Sequence, residues 1–137
     1  MSRASPPKAG YERILLAYDG SKNSETALSR AASLAERYGA RLTIVVVVPP
    51  SAFEETVQSG REVLGKAVAK AKRTVGDVTG VLRDGQAADE ILTAAEEQGA
   101  DLVVIGRRGL SAVQRLLMGG TSSAVVAHSN CDVLVVK

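Results

Sequence analysis

The chain has little of what usually advertises a function. A single cysteine, Cys131, and a single histidine, His128, stand among its 137 residues. One cysteine closes no internal disulfide, which suits a reducing compartment. One Cys and one His cannot supply the ligand set of a usual structural zinc site. There is no tryptophan and aromatics make up 3% of the chain, so a core must come from Val, Leu, Ile and Ala. Net charge is +2, from 17 Lys and Arg against 15 Asp and Glu. That excess is small and no basic run stands out, so nucleic acid is not an expected partner. The longest apolar run, LTIVVVVPP from Leu42, is far too short to span a bilayer, so no membrane partner is expected either. The opening MSRASPPKAG lacks the apolar stretch of a secretory signal. The expectation is a cytoplasmic protein.

What remains is an ordinary globular composition, 45% hydrophobic and 23% charged, at a length that suits one domain. Pro6, Pro7 and Gly10 mark residues 1–11 as a flexible leader, with residues 12–137 as the domain. Within it, apolar runs alternate with amphipathic stretches. Strands are predicted at Arg13–Tyr18, Arg41–Val48, Asp77–Gly85, Asp101–Gly106 and Asp132–Lys137. Between the first two, Ala27, Leu28, Ala31, Leu34, Ala35 and Tyr38 recur at helical spacing, with Ser21 as N-cap and Gly39 as the stop. A second helical pattern joins Phe53, Val57, Leu64, Ala67, Val68, Ala71 and Val75. Gly60 and Gly65 weaken it, and its first half is expected to be loop. Ala88, Ile91, Leu92 and Ala95 mark a third helix, and a short fourth is expected from Thr121 to His128. Apolar strands alternating with helices predict a parallel sheet covered on both faces, a doubly wound α/β domain. Such sheets bind ligands outside the carboxyl ends of their strands, where strand order switches.

One segment at that edge spends glycine freely. GRRGLSAVQRLLMGGTSSAV, from Gly106 to Val125, holds four glycines and then Thr121, Ser122 and Ser123. Glycine lets another molecule approach the backbone without a Cβ in the way. A helix start offers unpaired N–H groups and partial positive charge, so Gly119 and Gly120 leading into a helix can make an anion site. Thr121 and Ser122 can donate to phosphate or cap the helix. The segment lacks the lysine of a Walker loop, and it does not follow the first strand as a dinucleotide fingerprint would. From the residues alone, a phosphate site and a plain structural loop both stay open.

The glycine spacing in GRRGLSAVQRLLMGG resembles that of the universal stress proteins: Gly, two residues, Gly, nine residues, Gly, then Ser or Thr. ILLAYDGSKNSETAL resembles that family's first strand, its aspartate and first helix. GARLTIVVVVP, ADLVVIGRRG and VVAHSNCDVLVVK resemble its second strand, its fourth strand and its closing helix and strand. The resemblance runs from about Glu12 to Lys137. It implies a five-stranded parallel sheet of order 3-2-1-4-5 and a homodimer through the last strand, around Val133–Lys137. Because Gly106, Gly109 and Gly119 are kept, it implies the ATP-binding branch, with AMP or cyclic AMP as related ligands and Mg or Mn accompanying ATP. By the same resemblance Asp19 sits by the adenosine and could help hold the metal. Val47 offers backbone groups to the adenine edge. Ala17 and Ile105 line the nucleoside slot, and Gly106, Gly109 and Gly119 admit ribose and phosphates. Arg108, Gly120, Thr121 and Ser122 complete the candidate set.

Two positions depart from the family pattern. Gly120 stands where Ser or Thr is usual. A missing neutral hydrogen bond costs roughly 0.5–1.5 kcal/mol, about tenfold in affinity at most. Asp132 stands where Pro is usual, and no function attaches to it. Plainer roles compete at several sites. Asp19 could only cap a turn; Arg107 and Arg108 could simply face water; Ser21, Asn23 and Ser24 read as capping groups. His128 has no triad partner in view, and Cys131 reads as a small packed residue. The function expected is an adenine-nucleotide sensor or regulatory module in stress response. A slow ATP hydrolase and a nucleotide-independent dimeric interaction protein are the alternatives.

Overall fold

The computed structural model describes residues 10–107 and 120–137. The chain runs β1 (Arg13–Ala17), α1 (Lys22–Tyr38), β2 (Arg41–Val48), α2 (Glu54–Ala71), β3 (Val78–Asp84), α3 (Ala87–Gln98), β4 (Leu102–Gly106), α4 (Gly120–His128) and β5 (Asp132–Val136). All strand pairs are parallel, and the sheet order is β3-β2-β1-β4-β5. Both the doubly wound class and the strand order expected from the sequence are therefore found. Strand order reverses between β1, which leads outward to β2 and β3, and β4, which leads to β5.

Two cores sandwich the sheet. On one face Ile14, Leu16, Ile44, Val46 and Val104 meet Ala27, Leu28, Ala31 and Ala35 of α1 and Ala67 and Ala71 of α2. On the other, Leu15, Ala17, Val45, Val103 and Ile105 meet Ala88, Ile91, Ala94 and Ala95 of α3 and Val125 of α4. Alternate residues of one strand serve opposite cores, which is why β1, β2 and β4 must be apolar throughout. Most residues that the helices turn to the sheet are alanine, so the helices lie close to it. Fully burying a Leu or Ile side chain is worth about 1.5–3 kcal/mol, and Ile14, Leu15, Leu16, Leu42 and Ile44 are all buried.

The helix ends follow the sequence where local chemistry decides them. Ser21 caps α1, its side chain accepting the N–H of Ser24, and Gly39 ends it in the left-handed region at φ 64°. The expected loop in the first half of the second helix is overturned: α2 is continuous from Glu54. Packing is the reason. A Cβ on Gly60 would lie 2.8 Å from Val48 Cγ1 and 3.2 Å from Leu82 Cδ1, and one on Gly80 of β3 would lie 2.8 Å from Val68 Cγ2. The two glycines let α2 and the sheet approach each other, and that contact outweighs glycine's helix penalty of about 1 kcal/mol. Val75 falls beyond α2 but is buried in the same core.

The amino edge of the sheet is closed by hydrogen bonds. Asp101 accepts the backbone N–H groups of both Glu12 and Arg13, at 2.9 and 3.0 Å. Arg41 pairs with Asp77 at 3.1 Å. Tyr11 stacks edge-on against Tyr38 and donates its hydroxyl to Asp132 at 2.7 Å. Asp132, unassigned from sequence, thus ties the start of β5 to the chain entering β1. The edge strand β3 is held to α3 by Arg83, which pairs with Glu90 at 2.7 Å and Glu97 at 2.8 Å. No helix among the described residues is long and apolar enough to cross a membrane.

Candidate functional site

The carboxyl edge is built differently. β1 stops at Ala17, which pairs with Val45, while β2 continues to Val48. The carbonyl of Val45 accepts the N–H of Tyr18, so Val45 turns its backbone groups toward β1. The carbonyl of Val48 accepts the N–H of Gly85 after β3, so Val48 turns the other way. Backbone direction alternates along a strand. Val47, two residues past Val45, therefore aims its N–H and C=O to the β1 side, at a level where β1 has ended. A donor and an acceptor stand side by side over the gap.

The side chains around that gap are apolar. Ala17 and Ile105 pair directly across β1 and β4, and both belong to the core on the α3–α4 face, against which Val47 packs. Three of the expected slot residues thus come from the ends of three adjacent strands and share one face. On the opposite face the end of β4 is covered by α1. A Cβ on Gly106 would stand 3.0 Å from the backbone carbon and oxygen of Asn23, so the first turn of α1 presses on the end of β4. Gly106 therefore has a packing reason to be glycine, whatever approaches it from the other side.

Asp19 occupies the turn between β1 and α1. Its Oδ1 accepts the N–H of Ser21 at 2.8 Å, and its own N–H donates to Ser24 Oγ at 3.3 Å. The carboxylate is exposed and one oxygen anchors the turn. Gly20, at φ 82°, lies against Val63 of α2. Just before it, Tyr18 is only 8% exposed, and its hydroxyl donates to Glu25. Burial, then this bond, pushes the phenol well above its ordinary range. The bond from Tyr18 holds the Glu25 carboxyl below the usual carboxylate value, with help from Lys70 of α2, 3.3 Å away. This chain from Tyr18 through Glu25 to Lys70 fixes the turn from behind. No sequence pattern announces it, because Lys70 lies 45 positions from Glu25.

The start of α4 faces the same edge. Arg107 donates its N–H to Val136 at 2.7 Å, extending the β4–β5 pairing. Its carbonyl accepts the hydroxyl of Ser122 at 2.7 Å. Ser122 is 2% exposed, and its hydroxyl holds the first turn of α4 to the end of β4. Thr121 is half-buried and Gly120 exposed. Apart from its chain neighbours and the backbone of its own helix, no atom of the described residues lies within 4 Å of where a Gly120 Cβ would be. Arg108, Gly109 and Gly119 lie outside the described residues. Among the described residues no group of three or more His, Cys, Asp or Glu could hold a metal ion. An ion at Asp19 would need further ligands from whatever binds there.

The arrangement brings together apolar strand ends at Ala17, Val47 and Ile105, the backbone donor and acceptor of Val47, and the N-terminus of α4. Comparison with known proteins shows the family. The universal stress protein family model matches residues 10–137. A universal stress protein of Thermus aquaticus, named for its position in the QAH/OAS sulfhydrylase 3' region, is 38% identical, covering 93% of this chain and 99% of that protein. A universal stress protein solved in complex with cAMP superposes with a TM-score of 0.80 at 28% identity, covering 94% of this chain and 99% of the other. A universal stress protein of Archaeoglobus fulgidus in complex with dAMP gives 0.76 at 25% identity, covering 93% and 98%. The chain belongs to the universal stress protein family.

Proposed function

We propose that this protein binds an adenine nucleotide, ATP foremost, between the ends of β1, β2 and β4, and acts as a sensor or regulatory module. The observation that carries the reading is the backbone of Val47. Its C=O can accept from the exocyclic amino group of adenine while its N–H donates to the neighbouring ring nitrogen. Guanine presents a carbonyl and a ring N–H in those places, so the same pair opposes it, and a buried mismatch of this kind is heavily penalised. The slot lined by Ala17 and Ile105 suits a flat base. The N-terminus of α4, with Gly120 and Thr121, suits the phosphates. Ser122 serves this end by holding α4 in place. Gly109, Gly119 and Arg108 enter through the resemblance in glycine spacing. Structural neighbours that hold cAMP and dAMP support an adenine nucleotide as the ligand class.

Asp19 fits a nucleotide-borne Mg or Mn ion as one ligand among phosphate oxygens. Its exposed carboxylate keeps one oxygen out of the turn hydrogen bond. The protein pairs with a second copy through β5. This strand has a neighbour, β4, on one side only, and Leu134 on it and Val126 on α4 are 36% and 44% exposed. An apolar edge of this kind is suited to isologous strand pairing.

Amide NMR spectra of the protein titrated with ATP test the site. Saturable shifts are expected at Ala17–Asp19, Val47, Ile105–Arg107 and Gly120–Ser122, with Asp77 and Asp101 unmoved. Shifts confined to the amino edge, or none that saturate, would contradict the assignment.

A further inference from the structure

Tyr18 carries a hydroxyl that core packing does not need. It follows the last residue of β1, and its N–H still bonds the Val45 carbonyl of β2. The alternation of β1 therefore runs one residue past the strand. Leu15 and Ala17 face the α3–α4 core, while Ile14, Leu16 and Tyr18 face the α1–α2 core. Tyr18 thus turns its ring away from the face that Ala17, Val47 and Ile105 share. A phenylalanine would fill the same space. The hydroxyl instead reaches α1 and donates to Glu25 Oε1. The start of a helix favours an acidic residue, which accounts for the charge of Glu25 but not for a buried phenol aimed at it.

What the hydroxyl holds is the neighbouring turn. Two consecutive residues at the end of β1 are joined to two consecutive residues in the first turn of α1. Tyr18 meets Glu25 through side chains, and Asp19 donates its N–H to Ser24 Oγ at 3.3 Å. Ser24 is itself fixed. It is buried, and it donates its hydroxyl to the Ser21 carbonyl at 3.0 Å and its N–H to Ser21 Oγ at 3.2 Å. Both oxygens of Glu25 are used, since Oε2 takes Lys70 of α2 at 3.3 Å. Asp19 differs. Its Oδ1 accepts the Ser21 N–H at 2.8 Å, and among the described residues its Oδ2 has no hydrogen-bond partner. One carboxylate is spent on the clasp, and the other is held by it with an oxygen to spare.

We infer that Tyr18, acting through Glu25, is a positioning residue that sets where Asp19 presents its free oxygen to the magnesium ion carried by ATP. This rests on the proposed nucleotide site. Tyr18 touches neither base nor phosphate, so its removal acts on the metal-dependent part of binding.

The readout is the magnesium gain, the ratio of ATP dissociation constants measured by calorimetry without and with magnesium. Asp19→Ala is expected to abolish the gain, and Tyr18→Phe, which keeps the ring, to lower it about fivefold. Glu25→Ala is expected to match Tyr18→Phe. Glu25→Gln, whose amide oxygen still accepts from the phenol, is expected to keep most of the gain. Urea denaturation of each variant runs alongside, because a merely structural role would lower the stability of Tyr18→Phe and leave the gain at the parent value. If the parent binds ATP but shows no magnesium gain, or if Asp19→Ala or Tyr18→Phe keeps the gain within about twofold of the parent, the positioning role is overturned and the nucleotide site stands. If the parent binds no adenine nucleotide, the site and the positioning role fall together.

Discussion

The two edges of one sheet spend their polar groups in opposite ways. At the amino edge, both carboxylate oxygens of Asp101 accept backbone N–H groups at the entry to β1, Asp77 is paired with Arg41, and Asp132 holds Tyr11. At the carboxyl edge Asp19 uses one oxygen on its own turn. There Val47 turns its backbone toward a space β1 does not reach. Carboxylates of the same kind are structural at one edge and available at the other. What separates them is where strands of unequal length stop. β2 outruns β1, and over the shortfall the Val47 backbone groups face a space that β1 does not fill.

That contrast can be broken at several points. The largest effect is expected from Gly106→Val, which drives a branched side chain into the backbone of Asn23. It should cost about 3 kcal/mol by the usual penalty for overpacking and abolish nucleotide binding, read by urea denaturation and by titration. Asp101→Ala should lower stability by about 2 kcal/mol, since two charge-assisted bonds are lost, and leave nucleotide affinity within twofold. Asp19→Ala should weaken ATP about tenfold (about 1.4 kcal/mol) while losing only about 1 kcal/mol of stability, from its single turn bond. If Asp19→Ala lost as much stability as Asp101→Ala and kept affinity, the division between the edges would be mistaken.

The smallest effect concerns acid. Glu25 has its carboxyl held below the usual value by Tyr18 and Lys70. A lowered folded value means the pair stabilises the fold above the unfolded carboxylate range, and that this is lost as pH falls through the folded value. Glu25 is well exposed, so screening keeps the contribution small. The stability difference between the parent and Glu25→Gln should shrink as pH drops from 7 toward 3, measured by chemical denaturation at each pH.

Much of the fold was legible because its determinants are local. Apolar β-branched runs announced the strands, and Ser21 and Gly39 announced the ends of α1. The start of α2 was not legible. Gly60 reads as a helix breaker in sequence, and only the approach of Val48 and Leu82 shows why it is tolerated. Within the candidate site, the strand-end rule pointed to Val47, and Ala17 and Ile105 were named through family resemblance alone. Their common face needed register, which no single strand reveals. Ser122 was expected to serve phosphate, and its bond to the Arg107 carbonyl is a tertiary contact invisible in a run of hydroxyls. The contacts of Tyr18 with Glu25 and Lys70, and of Tyr11 with Asp132, join positions that sequence spacing does not connect.

The most direct measurement is a calorimetric titration of nucleotide-stripped protein with ATP and magnesium, with GTP as the control. The account predicts saturable ATP binding at one site per chain and GTP at least tenfold weaker, because the Val47 backbone pair matches adenine and opposes guanine. Equal affinity for the two would contradict the role of Val47. Binding of neither would mean that the slot at the carboxyl edge does not hold a nucleotide.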